Sequence, residues 1–304
     1  MQKSRKLNII KCVSLVIVCV VVLLITSNGI VNSIAYNPYD NSVNTNSFII
    51  LTQLLSPSVS YSWLSPNKPQ MLLRYGVYTQ QFFLDQFPER GSTEETVGTF
   101  GYQCGNISIK SYDDKLGFGT LTCHQSVFIN NSAWQGFSSI SYDKNYEVWF
   151  EFINPMNGSD FVKNYGWVLN NNLSRPQGSG LIWIPIKTSN NASDVCLGML
   201  GNLSTHYLNN PVFGLPDYYD MDIYERENIF RQALNYLIIH PKETKMFLNS
   251  GLYADSNNLN FDQRLSYIQE NGIQFLGMVA YLRGDVLMSF KADNNLRVVK
   301  ITER

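Results

Sequence analysis

A chain of 304 residues can bury the core of one large domain or of two modest ones. Charged residues make up only 15% of it, below the usual quarter, and polarity comes instead from Asn, Ser, Thr and Tyr. The formal net charge is −1 and no basic stripe follows the N-terminal segment, which argues against a nucleic-acid partner.

The N-terminal segment is basic and then apolar. Residues 1–35 contain no acid and four bases, which leaves 19 bases against 24 acids in the remainder, a net charge of −5. Residues 12–25 form an apolar run that reaches the length of a membrane-spanning helix, about 20 residues, when apolar neighbours are added. Because the bases lie only before this run, we expect a cytoplasmic tail at 1–11 and a transmembrane signal-anchor at 12–31.

A cleaved signal peptide is the alternative reading of the same segment. The triplet Ser33-Ile34-Ala35 has small residues at the two recognition positions, so cleavage would fall at about residue 35. Both readings export residues 36–304. The expected protein is therefore a single-pass membrane protein with an extracytoplasmic C-terminal part, or a secreted one if the signal is cleaved.

Two helical stretches are predicted next. Residues 36–68 are rich in turn formers around one apolar stretch, Phe48 to Leu55, which predicts a membrane-proximal stalk with a short helix. Residues 71–87 have apolar side chains at helical spacing and stop at Pro88, which predicts a second helix.

From about 96 to 200, short aromatic and β-branched runs alternate with Asn, Gly and Ser turns. In residues 146–153, Tyr146, Val148, Phe150 and Phe152 share one face, and Glu147, Trp149 and Glu151 share the other; this period of two predicts a half-buried strand. The runs are TFGYQ, ISIK, GTLTCHQSVF, GFSSISY, YEVWFEFI, YGWVL and LIWIPIK. Their number and spacing predict an antiparallel sheet or a sandwich.

After Pro216 the pattern becomes helical. Asp217 or Asp220 can cap a helix that ends at Pro241, and helices follow at about 242–249 and 261–270, with Gly272 as a C-cap. The last segments, IQFLGMVAYL, VLMSF and LRVVKIT, predict three strands in a meander.

The patterns together predict an α+β fold with a single N-terminal transmembrane helix. A stalk with short helices occupies 36–95, a β-rich ectodomain 96–215, and a helical section with a C-terminal β-meander 216–304.

Five cysteines are present. Cys12 and Cys19 belong to the membrane segment. If a hairpin turns at Asp113-Asp114, Cys104 and Cys123 lie opposite each other within disulfide reach, and an oxidising compartment favours that bond. Cys196 is then left over, and we expect it to be a buried thiol.

Candidate glycosylation sequons occur at six asparagines. With 32 Asn and 42 Ser plus Thr, chance alone supplies about four sequons. Whether any of them is glycosylated depends on the host. They are Asn106, Asn130, Asn157, Asn172, Asn191 and Asn202.

No residue pattern predicts a cofactor or metal site. His124, His206 and His240 have no second ligand at metal spacing. Asp220 and Asp222 are candidate ligands for a divalent ion, although a helix start decorated with acids explains them and is the favoured interpretation. Arg283-Gly284-Asp285 matches an integrin-binding tripeptide, but turns favour the same residues.

Aromatic residues are the remaining signal. Trp134, Trp149, Trp167 and Trp183 all fall in the β-rich part, where aromatic faces beside Asn side chains suit sugar rings and protein interfaces. The alternative is that they fill a core.

The leading functional prediction is a non-catalytic, membrane-anchored ectodomain that binds a surface protein or a glycan. One alternative is an exported glycan-acting hydrolase with paired carboxylates, such as Glu147 with Glu151 or Asp220 with Asp222. The other is a structural subunit of an envelope assembly.

Overall fold

The computed structural model describes residues 13–23, 38–55, 60–62, 78–85, 95–103, 106–111, 140–169, 179–191, 194–201, 221–249 and 259–303. Between residues 38 and 111, side chains are described only at Val43 and at 46–55. The described residues form an α+β fold with one five-stranded and one four-stranded antiparallel sheet, which confirms the predicted class.

The helices are α1 (residues 13–23), α2 (Pro38–Leu55), α3 (Gly158–Tyr165), α4 (Ile223–Ile239), α5 (Pro241–Leu248), α6 (Phe261–Asn271) and α7 (Gly284–Ser289), with 3₁₀ turns at Gly166–Val168 and Phe290–Ala292. The strands are β1 (Ser60–Ser62), β2 (Tyr78–Asp85), β3 (Glu95–Gln103), β4 (Asn106–Ser111), β5 (Asn145–Met156), β6 (Gly180–Ile186), β7 (Leu197–Leu200), β8 (Phe275–Arg283) and β9 (Leu296–Glu303).

The four-stranded sheet is a simple meander of β1 to β4. Strand β2 lies inside residues 71–87, so the helix predicted there is wrong over 78–85. Its Tyr, Thr and Phe residues favour strands, and pairing with β1 and β3 overrides the helical spacing. Strands β3 and β4 close a hairpin at Gln103 opposite Asn106.

The five-stranded sheet has the order β7-β6-β8-β5-β9. Its strand β5 confirms the period-two pattern, since Tyr146, Val148, Phe150 and Phe152 are all buried in the main core. Strand β9 lies at the edge and pairs with β5, with Val299 inserted as a bulge between the pairs Trp149–Lys300 and Phe150–Val298.

Two predicted strands are helical instead. VLMSF falls in α7 and the turn after it, where Asp285 accepts a hydrogen bond from the Val286 amide at 2.8 Å, and short apolar runs of this kind do not distinguish strand from helix. YGWVL falls at the end of α3 and in the turn Gly166–Val168. The predicted terminal meander is therefore wrong, because β5 separates β8 from β9.

Helix α2 contains the apolar stretch that was predicted to be a short helix in a stalk. It is 18 residues long, and Phe48, Ile50, Leu51 and Leu55 are buried in the main core. Its C-terminal half is thus part of the folded body rather than of a stalk, because helices α4 and α5 and strand β7 cover its apolar side chains.

Helix α4 begins at a capping box. Asp222 accepts a hydrogen bond from the Glu225 amide at 2.8 Å, and Glu225 accepts one from the Asp222 amide at 2.9 Å. The cap is therefore Asp222 and not Asp217 or Asp220. Helix α6 ends at Gly272 with φ of 73°, which confirms the predicted C-cap.

A second, smaller cluster covers the other face of the five-stranded sheet. It consists of Ile182, Trp183, Cys196, Leu276 and Val279. Gly198 makes room for Trp183, since a Cβ there would lie 2.2 Å from the indole ring. Both faces of this sheet are consequently apolar in the middle.

Candidate interaction surface

The four tryptophans predicted to form a binding surface do not come together. Trp134 lies outside the described residues, and Trp183 is fully buried, with its Nε1 donating to the Gln53 carbonyl at 3.0 Å. Trp149 and Trp167 lie on opposite faces of the five-stranded sheet. Only Trp167 among the described tryptophans is exposed, at 42%.

Trp149 belongs to the smaller apolar cluster and is half-buried. Its Nε1 donates to Glu147 Oε1 at 3.0 Å, and Lys300 Nζ stands over the ring at 5.6 Å from its centroid. These contacts hold the indole between a carboxylate and an ammonium group. The residue is therefore built into the sheet by cross-strand contacts.

Trp167 is placed by an aromatic cluster on the helix-covered face. Its ring stacks on Phe290, with centroids 5.4 Å apart, and Phe290 in turn packs on Phe150 of β5 at 5.1 Å. Tyr165 donates to Asp293 Oδ2 at 2.9 Å, and burial together with this bond raises the pKa of Tyr165. A rigid aromatic platform thus supports the exposed indole.

One exposed apolar side chain lies next to the turn that carries Trp167. Val162 is 44% exposed on α3, and its side chain lies beside Gly166, the residue before Trp167. We call Val162 and Trp167 the Trp167 surface. Ile153, 45% exposed at the end of β5, alternates with the core residue Phe152 and so belongs to the other face of that strand. Sequence reasoning identified only Trp167, because Val162 belonged to no predicted element.

The carboxylates proposed as a catalytic pair are far apart. Glu147 and Glu151 are four residues apart on one strand, about 13 Å between their Cα atoms, and glycosidase pairs are separated by roughly 5–10 Å. Glu147 is also buried and accepts from Trp149. The geometry of this strand therefore disfavours a hydrolytic pair.

The acidic candidates for an ion are engaged elsewhere or not described. Asp222 caps α4, and Asp220 lies outside the described residues. Among the residues that the structure describes, no group of three or more His, Cys, Asp and Glu side chains is arranged to hold a metal ion. His240, at the junction of α4 and α5, packs its ring 4.4 Å from that of Tyr236; His124 and His206 lie outside the described residues.

The tripeptide Arg283-Gly284-Asp285 is closed on itself. Arg283 Nε donates to Asp285 Oδ1 at 2.7 Å, and a second bond joins Nη2 to Oδ2, so the two charges neutralise each other at the start of α7. Gly284 is pressed against the Ser141 carbonyl, where a Cβ would lie 2.0 Å away. The two charges are therefore paired with each other at the surface.

The prediction for Cys196 is corrected. Cys196 is buried in the smaller apolar cluster, on the face of the sheet that we call the second face. It is disulfide-bonded to a partner outside the described residues, so it is not the leftover thiol that was expected. Cys104 and Cys123 both lie outside the described residues, and their bridge stays a prediction. Cys19 is a free, exposed thiol in α1, and Cys12 is not described.

Two of the six sequons have described side chains. Asn157 is exposed and caps α3 by accepting from the Asp160 amide at 2.9 Å. Asn191 is exposed and donates to Asp194 Oδ1 at 2.8 Å. Asn106 begins β4, and the others, Asn130, Asn172 and Asn202, lie outside the described residues.

Helices α2 and α4 face each other across a narrow cleft of about 20 Å³. Gln53 and Leu54 of α2 line it together with Arg226, Ile229, Phe230 and Ala233 of α4. The Arg226 guanidinium is buried, and its Nε donates to the Met221 carbonyl at 3.2 Å. The lining of the cleft is mainly apolar.

Helix α1 is exposed on every side. All eleven described residues are exposed, and Leu15, Val16 and Leu23 are 61–66% accessible. Within the described residues, no helix combines the length and the apolar character that crossing a bilayer takes.

Comparison of the chain with protein-family models, with curated proteins and with solved structures finds no match in any of the three.

Proposed function

We propose that this chain is a membrane-anchored extracytoplasmic binding protein. The apolar segment containing α1 lies in the bilayer, and the folded part binds a surface protein or a glycan through the Trp167 surface.

The observation that carries the proposal is the exposure of α1. A helix of Val, Leu and Ile that is apolar all round leaves its side chains in water unless lipid or protein covers them. Each buried CH₂ group contributes about 0.8 kcal/mol, so a bilayer is a strongly favoured environment for such a helix. The bases that precede it support a cytoplasmic N-terminus.

The Trp167 surface supports a binding role. Trp167 is held on a packed aromatic platform, and Val162 lies beside the turn that carries it. Asp293, which accepts a hydrogen bond from Tyr165 of that platform, adds a polar group nearby. Tryptophan at the centre of a preorganised surface is the residue type that contributes most to protein and sugar recognition.

The anchoring half of the proposal is tested by topology. A reporter fused after residue 304 is expected to be extracytoplasmic, and the full chain is expected to stay in the membrane after alkaline extraction. Val16→Arg with Val20→Arg should release it, because each charge at a helix centre opposes insertion by about 3 kcal/mol. A cytoplasmic reporter would contradict the proposal.

The binding half is tested with the full chain in lipid nanodiscs on arrays of glycans and surface proteins. Trp167→Ala is expected to weaken the array signal about tenfold or more, since removing an anchor aromatic costs over 1.4 kcal/mol. Tyr224→Ala is the matched control, because Tyr224 is 58% exposed on another element. Equal behaviour of the two variants would refute the assignment to Trp167.

A further inference from the structure

The direction of α2 shows on which side the chain enters the folded part. Gln53 and Leu54, at the C-terminal end of α2, face the first half of α4 across the cleft. One and a half turns earlier, Phe48 contacts Phe247 of α5, with ring centroids 5.6 Å apart. Helix α2 therefore runs antiparallel to α4, and its N-terminus points towards the side of α5.

The segment between α1 and α2 limits how far that side can be from α1. Residues 24–37 separate the two described helices, and fourteen residues span at most about 50 Å when fully extended. If α1 lies in the bilayer, the chain leaves the lipid and enters the folded body on the α5 side within that distance.

Three of the exposed residues described on this side are one apolar and two basic side chains. Ile239 is 60% exposed at the end of α4, and Lys242 and Lys245 are exposed on one side of α5. We call these three residues the α5 corner. Between residues 235 and 249 the only acid is Glu243, which is half-buried.

The positive charge of this corner contrasts with the net charge of the exported chain as a whole, which is −5. An isolated basic corner with an exposed isoleucine is complementary to the headgroup region of an anionic bilayer. There an apolar side chain enters the acyl boundary while ammonium groups contact phosphates.

We infer that the α5 corner docks on the anionic lipid surface of the same membrane that holds α1. Ile239 inserts between headgroups, and Lys242 and Lys245 bind lipid phosphates. The inference rests on the proposed membrane anchoring and adds an orientation to it.

Docking through α5 leaves the Trp167 surface accessible. Helix α2 packs on β7, whereas the Phe290 that supports Trp167 packs on β5, three strands away and about 14 Å across the sheet. Helix α3, which carries Val162, contacts the first turns of α4 through Gly158 and Ile223, and α4 is about 25 Å long. The two surfaces therefore lie on separate parts of the body.

The test uses amide hydrogen exchange of the full chain in nanodiscs. One set contains phosphatidylcholine alone, and the other contains equal parts of phosphatidylcholine and phosphatidylglycerol. Exchange in residues 235–249 is expected to slow in the anionic nanodiscs only, and high salt should reverse the effect. Exchange in residues 158–168 should be the same in both.

Lys242→Gln with Lys245→Gln is expected to lower the docked-to-free ratio roughly thirtyfold. Each lysine near an anionic surface contributes close to 1 kcal/mol, and every 1.4 kcal/mol changes the ratio about tenfold. Ile239→Asn should weaken docking independently. Lys163→Gln, on the exposed side of α3, is the matched control and should leave exchange in 235–249 unchanged.

The outcomes separate the two proposals. A chain that does not enter nanodiscs at all overturns the membrane anchoring and the docking with it. A chain that enters them but shows equal exchange of 235–249 in both lipids, or protection of 158–168 instead, overturns the docking alone.

Discussion

The two faces of the five-stranded sheet are built differently. The face towards the helices is packed by many aromatic rings, such as Phe150, Phe152 and Phe161, and these bury one another. The other face has a small cluster that depends on one glycine and one disulfide-bonded cysteine. On the helix-covered face, removal of a large ring should destabilise the fold because it leaves a cavity. On the other face, a small added group should destabilise it because the contacts there are already close.

The largest effect is expected from Phe161→Ala on the helix-covered face. Phe161 is fully buried and lies 5.3 Å from Phe275 and 6.1 Å from Phe152, centroid to centroid. Loss of the ring should lower the free energy of unfolding by about 3–5 kcal/mol in urea denaturation. Val162→Ala, next to it but exposed, should change it by less than about 0.5 kcal/mol. Similar values for both would show that this face is loosely packed.

A smaller effect is expected from the disulfide on the second face. Cys196→Ser should lower the free energy of unfolding by about 2–4 kcal/mol under oxidising conditions, and a reductant should remove most of the difference. Cys19→Ser, in α1, is the control without effect.

Peptide mapping without reduction identifies the partner of Cys196. Because a sulfur forms only one disulfide, a link to Cys104 or to Cys123 would exclude the predicted Cys104–Cys123 bridge. A Cys104–Cys123 peptide together with a free Cys196 would instead contradict the bond on the second face.

The glycine under Trp183 should be nearly as sensitive. In Gly198→Ala the new methyl would lie 2.2 Å from the indole ring and 2.6 Å from the Ile184 carbonyl, so the strands must shift. We expect a loss of about 1–3 kcal/mol by thermal or urea unfolding. Gly166→Ala is the control, since its nearest neighbour is the Val162 side chain at 3.1 Å. An unchanged Gly198→Ala protein would show that the second face has space to spare.

The smallest effect concerns a carboxylate in the helix layer. Burial, opposed by Arg231 and assisted by Asp222, raises the pKa of Glu227, whose Oε1 lies against Gly158. When the pKa of an acid is higher in the folded than in the unfolded state, its ionisation destabilises the fold. This cost is complete above the folded-state pKa and absent below the unfolded-state pKa. Glu227→Gln should therefore stabilise the protein at neutral pH, with the gain fading as pH falls towards 4.5, the ordinary glutamate value. Unfolding curves of Glu227→Gln and of the unmodified protein across this pH range provide the measurement. A difference in stability that does not change with pH would contradict the prediction.

Sequence patterns predicted correctly those elements whose structure is set by local signals. The alternation in β5 and the capping glycine of α6 are local signals, and both are confirmed. Residues 78–85 and VLMSF were misassigned because short apolar runs fit either a strand or a helix until neighbouring strands decide. The exposure of Trp167 and the burial of Trp183 could not be read from the sequence, since both depend on which elements cover each face of the sheet.

The bulge at Val299 has a consequence for crowding. The anchoring proposed above would raise the local concentration of identical chains, and an open sheet edge would then invite strand-to-strand joining. In β9 the extra residue breaks the regular spacing of backbone donors and acceptors, and Arg297, Lys300 and Glu303 place charges along the same strand. The border strand thus disfavours edge-to-edge pairing with a strand of another copy.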